Sequence, residues 1–423
     1  MTTDLLARRH AVLGPNVPIF YHEPVHLVRG QGAWVWDADG KKYLDCYNNV
    51  PHVGHCHPHV VEAVSNQAAT LNTHTRYLHD GIVEYGERLT AKFDHDLKQM
   101  LMVVSGSEAN DVALRMATAA TGKTGYIATD ATYHGNTSLV SQLSTRRPPI
   151  GGRIDNVRLI PAPSTTHPVG GSLEAQPKAI EEHIEKAIQD LNDGGHGFAG
   201  FLFCPIFANE GFPTVGPQWF APIADVVRRH GGLLISDEVQ PGFGRVGSHW
   251  WGHDLLGIAP DIVTLGKPMA NGQPCAAVVT RPDIMADFRN AFGFFSTFGG
   301  NPVNCAAAAA VLDVIEAENL VQNAKDRSDQ ALERMEAISH PFKINSRGTG
   351  LFFGIEFERP DGKPVTEFTI RVVEAMKKRG VLMNKIGVNG NILKMRPPLV
   401  INAAEIDLAL DTLEDALAEV PLD

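Results

Sequence analysis

Four short apolar runs, at residues 101–104, 199–203, 233–239 and 262–265, constrain the fold of this chain more than any other feature. Each is too short for an ordinary helix, and turn residues or helical periodicity separate it from the next. Strands buried on both faces and spaced by helices build a mostly parallel sheet covered on both sides. In such sheets ligands bind beyond the carboxyl ends of the strands, so the residues that follow each run carry the chemistry. The first run leads into Ser105-Gly-Ser-Glu-Ala-Asn110 and a helix on which Ala109, Val112, Ala113, Met116, Ala117 and Ala120 keep the apolar period. A strand, a small polar turn and a helix start make an anion site, because free N–H groups and the helix dipole point the same way; an ordinary N-cap by Ser105 or Ser107 is the plainer reading. The run at 233–239 carries Asp237 and Glu238 at its carboxyl end. In Asp261-Ile-Val-Thr-Leu-Gly-Lys267 the strand ends at Gly266 and Lys267 follows at the mouth of the sheet, where a lysine with its charge suppressed is a nucleophile.

Composition excludes other classes. With 423 residues and 43% hydrophobic content the chain can bury a large core and more than one domain. The net charge of −11 and the lack of a long basic stripe argue against nucleic acid as a partner. Cys46, Cys56, Cys204, Cys275 and Cys305 are scattered and odd in number, the usage of a reducing compartment. The N-terminal residues lack an apolar core of the secretory type. The Ala-rich run at 305–312 is too short to span a bilayer. These features place the protein in the cytosol, away from membranes.

The rest of the chain is read more coarsely. Residues 1–20 are a helix and an arm; 25–28, 33–36 and 42–44 are strands of a small antiparallel unit. His52-Val-Gly-His-Cys-His-Pro-His59 is dense in metal-ligand types, but its spacing is too tight for most of them to converge on one ion, and Gly54 and Pro58 point to a fixed turn before a helix at 60–71. A strand at 126–128 precedes Tyr133-His-Gly135. Residues 144–175 read as a long surface loop around one weak strand at 157–160, and 219–230 as an amphipathic helix. One long helix is expected over 303–338. Beyond it come strands at 351–357, 381–384 and 392–395 and helices at 365–379 and 404–418.

An anion cradle, a strand-end carboxylate, an aromatic ring and a strand-end lysine are the parts that a phosphorylated, ring-nitrogen aldehyde requires. The cradle holds phosphate, Asp237 keeps the ring nitrogen protonated, Tyr133 stacks on the ring, and Lys267 attaches to the aldehyde. That cofactor is pyridoxal 5'-phosphate.

With these parts in view, the chain resembles the class III (omega) aminotransferases, pyridoxal-phosphate enzymes of fold type I. The motifs are Gly54-His-x-His-Pro58, Ser105-Gly-Ser-Glu-Ala-Asn110, Tyr133-His-Gly135, Asp237-Glu-Val-Gln-x-Gly-Phe-Gly-Arg245, Asp261-Ile-Val-Thr-Leu-Gly-Lys267 and Thr297-x-Gly-Gly-Asn-Pro302, in family order. The resemblance implies an α/β large domain at 51–305 with a mostly parallel sheet. It also implies an N-terminal arm at 1–50 that forms part of a small α+β domain, and a linking helix with the rest of that domain at 306–423. It makes Lys267 the covalent anchor and proton shuttle, and Asp237 the partner of the ring nitrogen. Val239 packs on the ring face opposite Tyr133, Gln240 lies near the ring hydroxyl, and Gly106 and Ser107 bind the phosphate. Thr297 reaches the cofactor of a neighbouring subunit, so the enzyme is a homodimer or larger, with shared active sites.

Two departures bear on the reaction. Family transaminases usually carry Arg-x-x-Pro-Pro near the C-terminus, to hold the acceptor's carboxylate; here Lys394-Met-Arg-Pro-Pro398 puts Lys394 at the arginine position and Arg396 two residues on, the spacing of one strand face. Cys204 stands where the family often has a glutamate. A subgroup resembles the chain more closely: the phospho-lyases of ethanolamine phosphate and phosphohydroxylysine. Shared stretches include Tyr43-Leu-Asp-Cys46, Asn48-Asn-Val50, Leu71-Asn-Thr73, Leu78-His-Asp80 and Ile82-Val-Glu-Tyr85, although that subgroup keeps the glutamate. The expected reaction is elimination of phosphate and ammonia from a small phosphorylated amine, O-phosphoethanolamine first; the alternative is amino transfer to a keto acid such as pyruvate. The substrate phosphate needs cations of its own. Arg76 is the first candidate, with Lys394 and Arg396 next and Asn49 as an added donor.

Overall fold

The computed structural model describes residues 2–146 and 149–422. At its centre lies a seven-stranded sheet in the spatial order Gln99–Val103, Ala276–Thr280, Ile262–Leu265, Leu233–Asp237, Phe198–Phe203, Gly125–Thr129, Val157–Ile160. The pairs from Ile262–Leu265 outward to Val157–Ile160 are parallel. Ala276–Thr280 is antiparallel to both of its neighbours, so the sheet is mixed but mostly parallel. Phe198–Phe203, Ile262–Leu265 and Ala276–Thr280 are buried on both faces, as their apolar character requires, while the edge strands are partly exposed. Helix Gly106–Thr121 packs on one face; Gln176–Asp193 and Pro217–Arg229 lie together over the other, around a cluster that includes Phe201, Phe203 and Phe220.

Two smaller sheets use the chain's ends. Leu27–Gln31, Trp34–Asp37 and Lys42–Asp45 form an antiparallel meander that Val381–Leu382 extends in parallel. Lys343–Gly348, Phe353–Phe357, Ile392–Lys394 and Asn384–Ile386 form the other. The stretch expected as one strand at 381–384 is thus divided at Met383 between two sheets. The polar strand Lys343–Gly348 carries no apolar run to announce it.

The single helix expected over 303–338 is two, Pro302–Ala317 and Leu320–Ala337. The break is at Asn319, which takes φ 50°; asparagine tolerates this left-handed conformation better than other side chains with a Cβ. No Gly or Pro marks the break, so periodicity runs through it. The long loop contains the short strand Val157–Ile160, parallel to Gly125–Thr129; its residues 147 and 148 lie outside the described residues. His167 in this loop bonds Glu358 and ties it to the C-terminal sheet. Among the described residues no helix is long and apolar enough to cross a membrane.

The histidines of 52–59 turn to different partners. His52 Nε2 is 2.7 Å from the Phe243 carbonyl oxygen, His55 Nε2 is 2.8 Å from Asp45, His57 Nε2 is 3.0 Å from Glu318 and His59 Nε2 is 2.9 Å from Asp313. Each has its own partner, and His57 and His59 both fasten the segment to helix Pro302–Ala317, at Asp313 and its cap Glu318.

Candidate active site

The carboxyl ends of the central strands open into one cleft of about 320 Å³, and Gly106, Ser107, Tyr133, Asp237, Val239, Gln240 and Lys267 all line it. The helix that begins at Gly106 is capped by Ser105, whose Oγ accepts from Glu108 N at 3.2 Å, while Glu108 Oε2 accepts from Val104 N at 2.9 Å. The first intrahelical bond runs from Ala109 N to Ser105 O. The N–H groups of Gly106 and Ser107 therefore precede the helical ladder and are orphan donors at the positive end of the dipole. Capping and anion binding are compatible here: Ser105 does the first and leaves the next two amides free for an anion. Gly135 closes the cradle from the other side. Its φ is 142°, and a Cβ there would lie 2.6 Å from Ser107 Oγ and 2.8 Å from Ser107 Cα, so only glycine fits.

Asp237 ends its strand 5% exposed and is held from three directions. Its Oδ2 accepts from Asn110 Nδ2 at 3.0 Å and lies 2.7 Å from His134 Nδ1; its Oδ1 accepts from Val239 N at 3.0 Å. Asn110 is oriented in turn by Thr264, whose hydroxyl donates to Asn110 Oδ1 at 2.7 Å. These contacts fix the carboxylate in a single orientation. Tyr133, 44% exposed, and Val239, 6% exposed, form two walls of the same cleft.

Lys267 follows its strand with φ 23°, a sparsely populated conformation of the kind that collects at functional sites. Burial of its ammonium and the positive charge of Arg396 together bring it down to about 8, against the opposing pull of Asp237 and Cys204. At neutral pH a usable fraction of the amine is therefore uncharged, as attack on a carbonyl requires.

Two further basic side chains lie near Lys267, although neither they nor Asn49 line the cleft itself. Lys394 and Arg396 are each 6% exposed and approach the Tyr47 ring, with Nζ and Cζ 5.2 and 5.3 Å from its centroid. Among the described residues neither has a carboxylate within ion-pair distance. Arg396 instead bonds the Gln240 side-chain oxygen and donates to the Tyr47 carbonyl at 3.2 Å. Burial and the charges of Arg396, Arg146 and Lys267 push Lys394 well below its ordinary value. Arg245, fully buried, donates to the Leu351 and Pro397 carbonyls at 2.9 and 2.8 Å and holds the chain beside Arg396. Asn49 is 1% exposed and its Nδ2 has no partner. A buried guanidinium without a carboxylate, a buried amine pushed toward its neutral form and an unpaired buried donor are all better accommodated when an anion meets them.

Arg76 and Thr297 are not brought to this cleft by their own chain. Both are exposed, and the Arg76 guanidinium stacks 3.9 Å from the Phe295 ring centroid. Residues that motif reasoning left without a role also emerge. His134 sits inside a motif noted for its tyrosine, and Arg146 lies in the loop, where only its proximity to Lys394 in the fold gives it meaning. Cys204 lines the cleft, and burial pushes its thiol up.

Free amides at a helix start, a fixed carboxylate and a lysine of lowered pKa meet at the mouth of one sheet, the parts that a phosphorylated aldehyde cofactor requires. The chain matches the class-III aminotransferase family over residues 20–417 and belongs to it. It is 39% identical over 438 residues to the alanine–glyoxylate aminotransferase 2-like protein of Drosophila melanogaster, covering 99% of this chain and 87% of the relative. It is 35% identical over 436 residues to ethanolamine-phosphate phospho-lyase homolog 1 of Caenorhabditis elegans, covering 98% and 93%. Among solved structures it superposes with a TM-score of 0.95 on a phospholyase from Arthrobacter in complex with phosphoethanolamine, at 42% identity, covering 99% of this chain and 100% of that one. The fold is fold type I, and pyridoxal 5'-phosphate is the family's cofactor; the orphan amides, the glycine-only cradle and the desolvated amine fit it.

Proposed function

We propose that this enzyme eliminates phosphate and ammonia from a small phosphorylated amine, O-phosphoethanolamine in the first instance. The observation that carries the reading is the pair of buried cations, Lys394 and Arg396, that lack a carboxylate partner beside the cofactor lysine. A transaminase also binds an anion, but a carboxylate is a monoanion; two desolvated cations with the Asn49 amide suit a phosphate dianion better. The similarity to a phospholyase that binds phosphoethanolamine supports the same substrate class.

When bound, the cofactor supplies an electron sink for the pair left behind as the Cα–H bond breaks. The rest falls to the chain. Gly106 and Ser107 hold the cofactor's phosphate, Asp237 keeps the ring nitrogen protonated, Tyr133 and Val239 confine the ring, and Gln240 lies toward the ring hydroxyl. Lys267 would accept the Cα proton at Nζ. Lys394, Arg396 and Asn49 orient the substrate phosphate and stabilise it as it leaves with the C–O bonding pair. With one water, ethanolamine phosphate gives acetaldehyde, ammonia and phosphate.

Arg76 and Thr297 complete the site from a neighbouring subunit in this reading. The exposed apolar side chains around them, Tyr77 at 66%, Leu78 at 103% and Phe298 at 69%, support a homodimer whose active sites are shared. The five free cysteines support a cytosolic location.

The test is direct. Holoenzyme given O-phosphoethanolamine and no keto acid releases inorganic phosphate and acetaldehyde in equal amounts. Release of neither, with transfer of amino groups from simple amines to pyruvate, establishes the aminotransferase reading instead, which the Drosophila relative's name favours.

A further inference from the structure

Tyr133, His134 and Gly135 are consecutive and all line the cleft, yet residues 132–136 belong to no helix or strand. Buried backbone groups that no ladder pairs must find partners elsewhere. Thr132 N donates to Thr145 Oγ1 and Thr132 O accepts from Thr145 N, each at 3.0 Å. Tyr133 O lies 3.4 Å from Asn209 Nδ2, and His134 O accepts from Asn110 Nδ2 at 2.7 Å. Three further groups all go to one hydroxyl. Ser144 Oγ accepts from His134 N at 3.0 Å and from Gly135 N at 3.2 Å, and donates to Gly135 O at 2.8 Å. Val140 O is a more distant acceptor for the same proton, at 3.3 Å. Ser144 and His134 are 8 and 3% exposed, so water does not readily replace these bonds.

A serine hydroxyl has one proton to give and two lone pairs with which to accept. Ser144 uses all three on residues 134 and 135, and its capacity is filled by this one segment. Each residue so fixed reaches a different part of the cleft. His134 Nδ1 meets Asp237 at 2.7 Å. Gly135 lies against Ser107, whose Oγ also accepts from Asn136 N at 3.2 Å. Tyr133 is carried between Thr132 and His134, whose backbones are both tied down. Removal of the Ser144 oxygen strands three buried backbone groups at once, and the segment regains partners for them only by moving toward water.

We propose that Ser144 is a positioning residue for the cofactor: its hydroxyl fixes residues 133–135 in cofactor-free protein, so that ring wall, carboxylate contact and cradle are in place before the cofactor arrives. A segment already in its binding conformation adds no ordering cost to the complex. The consequence for the cofactor rests on the placement of Tyr133 and Gly135 beside it; the hold of Ser144 on the segment does not.

The test reads the two separately. Hydrogen–deuterium exchange of cofactor-free protein, followed on peptides spanning 132–136, reports the hold. Ser144→Ala speeds exchange there about tenfold or more and leaves helix Gly106–Thr121 unchanged. Ser144→Cys puts a weak donor and acceptor in nearly the same volume; it moves in the same direction by less, and serves if the alanine variant does not fold. In the same variants the dissociation constant for pyridoxal 5'-phosphate rises about tenfold or more in equilibrium dialysis. The visible circular dichroism of the bound cofactor, which reports how the chain orients its ring, weakens at saturating cofactor. A general loss of stability moves neither that dichroism in folded protein nor exchange confined to 132–136. Unchanged exchange at 132–136 in every folded variant overturns the proposal and leaves the cofactor contacts standing. Faster exchange with unchanged affinity and dichroism also overturns it, and takes the placement of Tyr133 and Gly135 with it.

Discussion

Lys267 shows how much of this protein's chemistry depends on the surroundings of one side chain. An exposed lysine is almost wholly protonated at neutral pH; burial and Arg396 bring this one to about 8. Attachment of pyridoxal phosphate to cofactor-free enzyme needs the uncharged amine, so its rate should rise about tenfold per pH unit well below 8 and level off above it. Stopped-flow absorbance checks this, and a rate still climbing at pH 10 contradicts the lowered value. Lys267→Ala abolishes borohydride-trapped cofactor and lowers turnover by about 10²–10⁴-fold, the usual worth of a proton-transfer residue. Lys394 carries two effects of opposite sign. Charge-assisted contacts to an anion are worth roughly 1.5–3 kcal/mol, so Lys394→Met should raise KM for O-phosphoethanolamine about 10- to 100-fold. The same change removes a buried amine that has no partner, so the melting temperature of ligand-free protein should rise. A fall in both KM and melting temperature is the outcome that removes Lys394 from the substrate site.

At the scale of elements, the active site is made where regular structure stops. The cradle exists because Gly106–Thr121 begins immediately after its strand, with Ser105 as cap and Gly135 pressed against Ser107. Gly135→Ala forces that contact apart and should weaken cofactor binding measured by equilibrium dialysis, while far-UV circular dichroism stays unchanged. The strand-to-helix transitions were legible because apolar runs and helical periodicity are local properties of the chain. The break at Asn319 was not, since neither the composition nor the period of the surrounding residues changes there. A left-handed residue with a β-branched side chain costs roughly 1–2 kcal/mol, so Asn319→Val should lower stability by that amount in urea unfolding, with Asn319→Gly close to neutral. The division of residues 381–386 between two sheets escaped for a related reason: an extended segment does not state which neighbour it pairs with.

For the whole molecule, the arrangement proposed here has a site whose substrate arginine comes from the neighbouring chain. Leu78→Arg or Phe298→Glu should then yield monomers in sedimentation velocity and lose activity in proportion, although every residue lining the cleft is untouched. Full activity in a monomer excludes that arrangement. The buried strands near 101–104, 199–203, 233–239 and 262–265, the strand-end positions of Asp237 and Lys267, and the turn at Ser105–Gly106–Ser107 before its helix were determined by the amino-acid sequence itself, because each depends on side chains adjacent along the chain. The tertiary structure alone decided that His134 backs Asp237, that Lys394 and Arg396 lie buried without carboxylate partners, and that the charge of Arg146 reaches Lys394. Those relations join residues separated by tens to hundreds of positions. Their energies arise from desolvation and from charges brought close together, quantities that do not exist until the chain has folded.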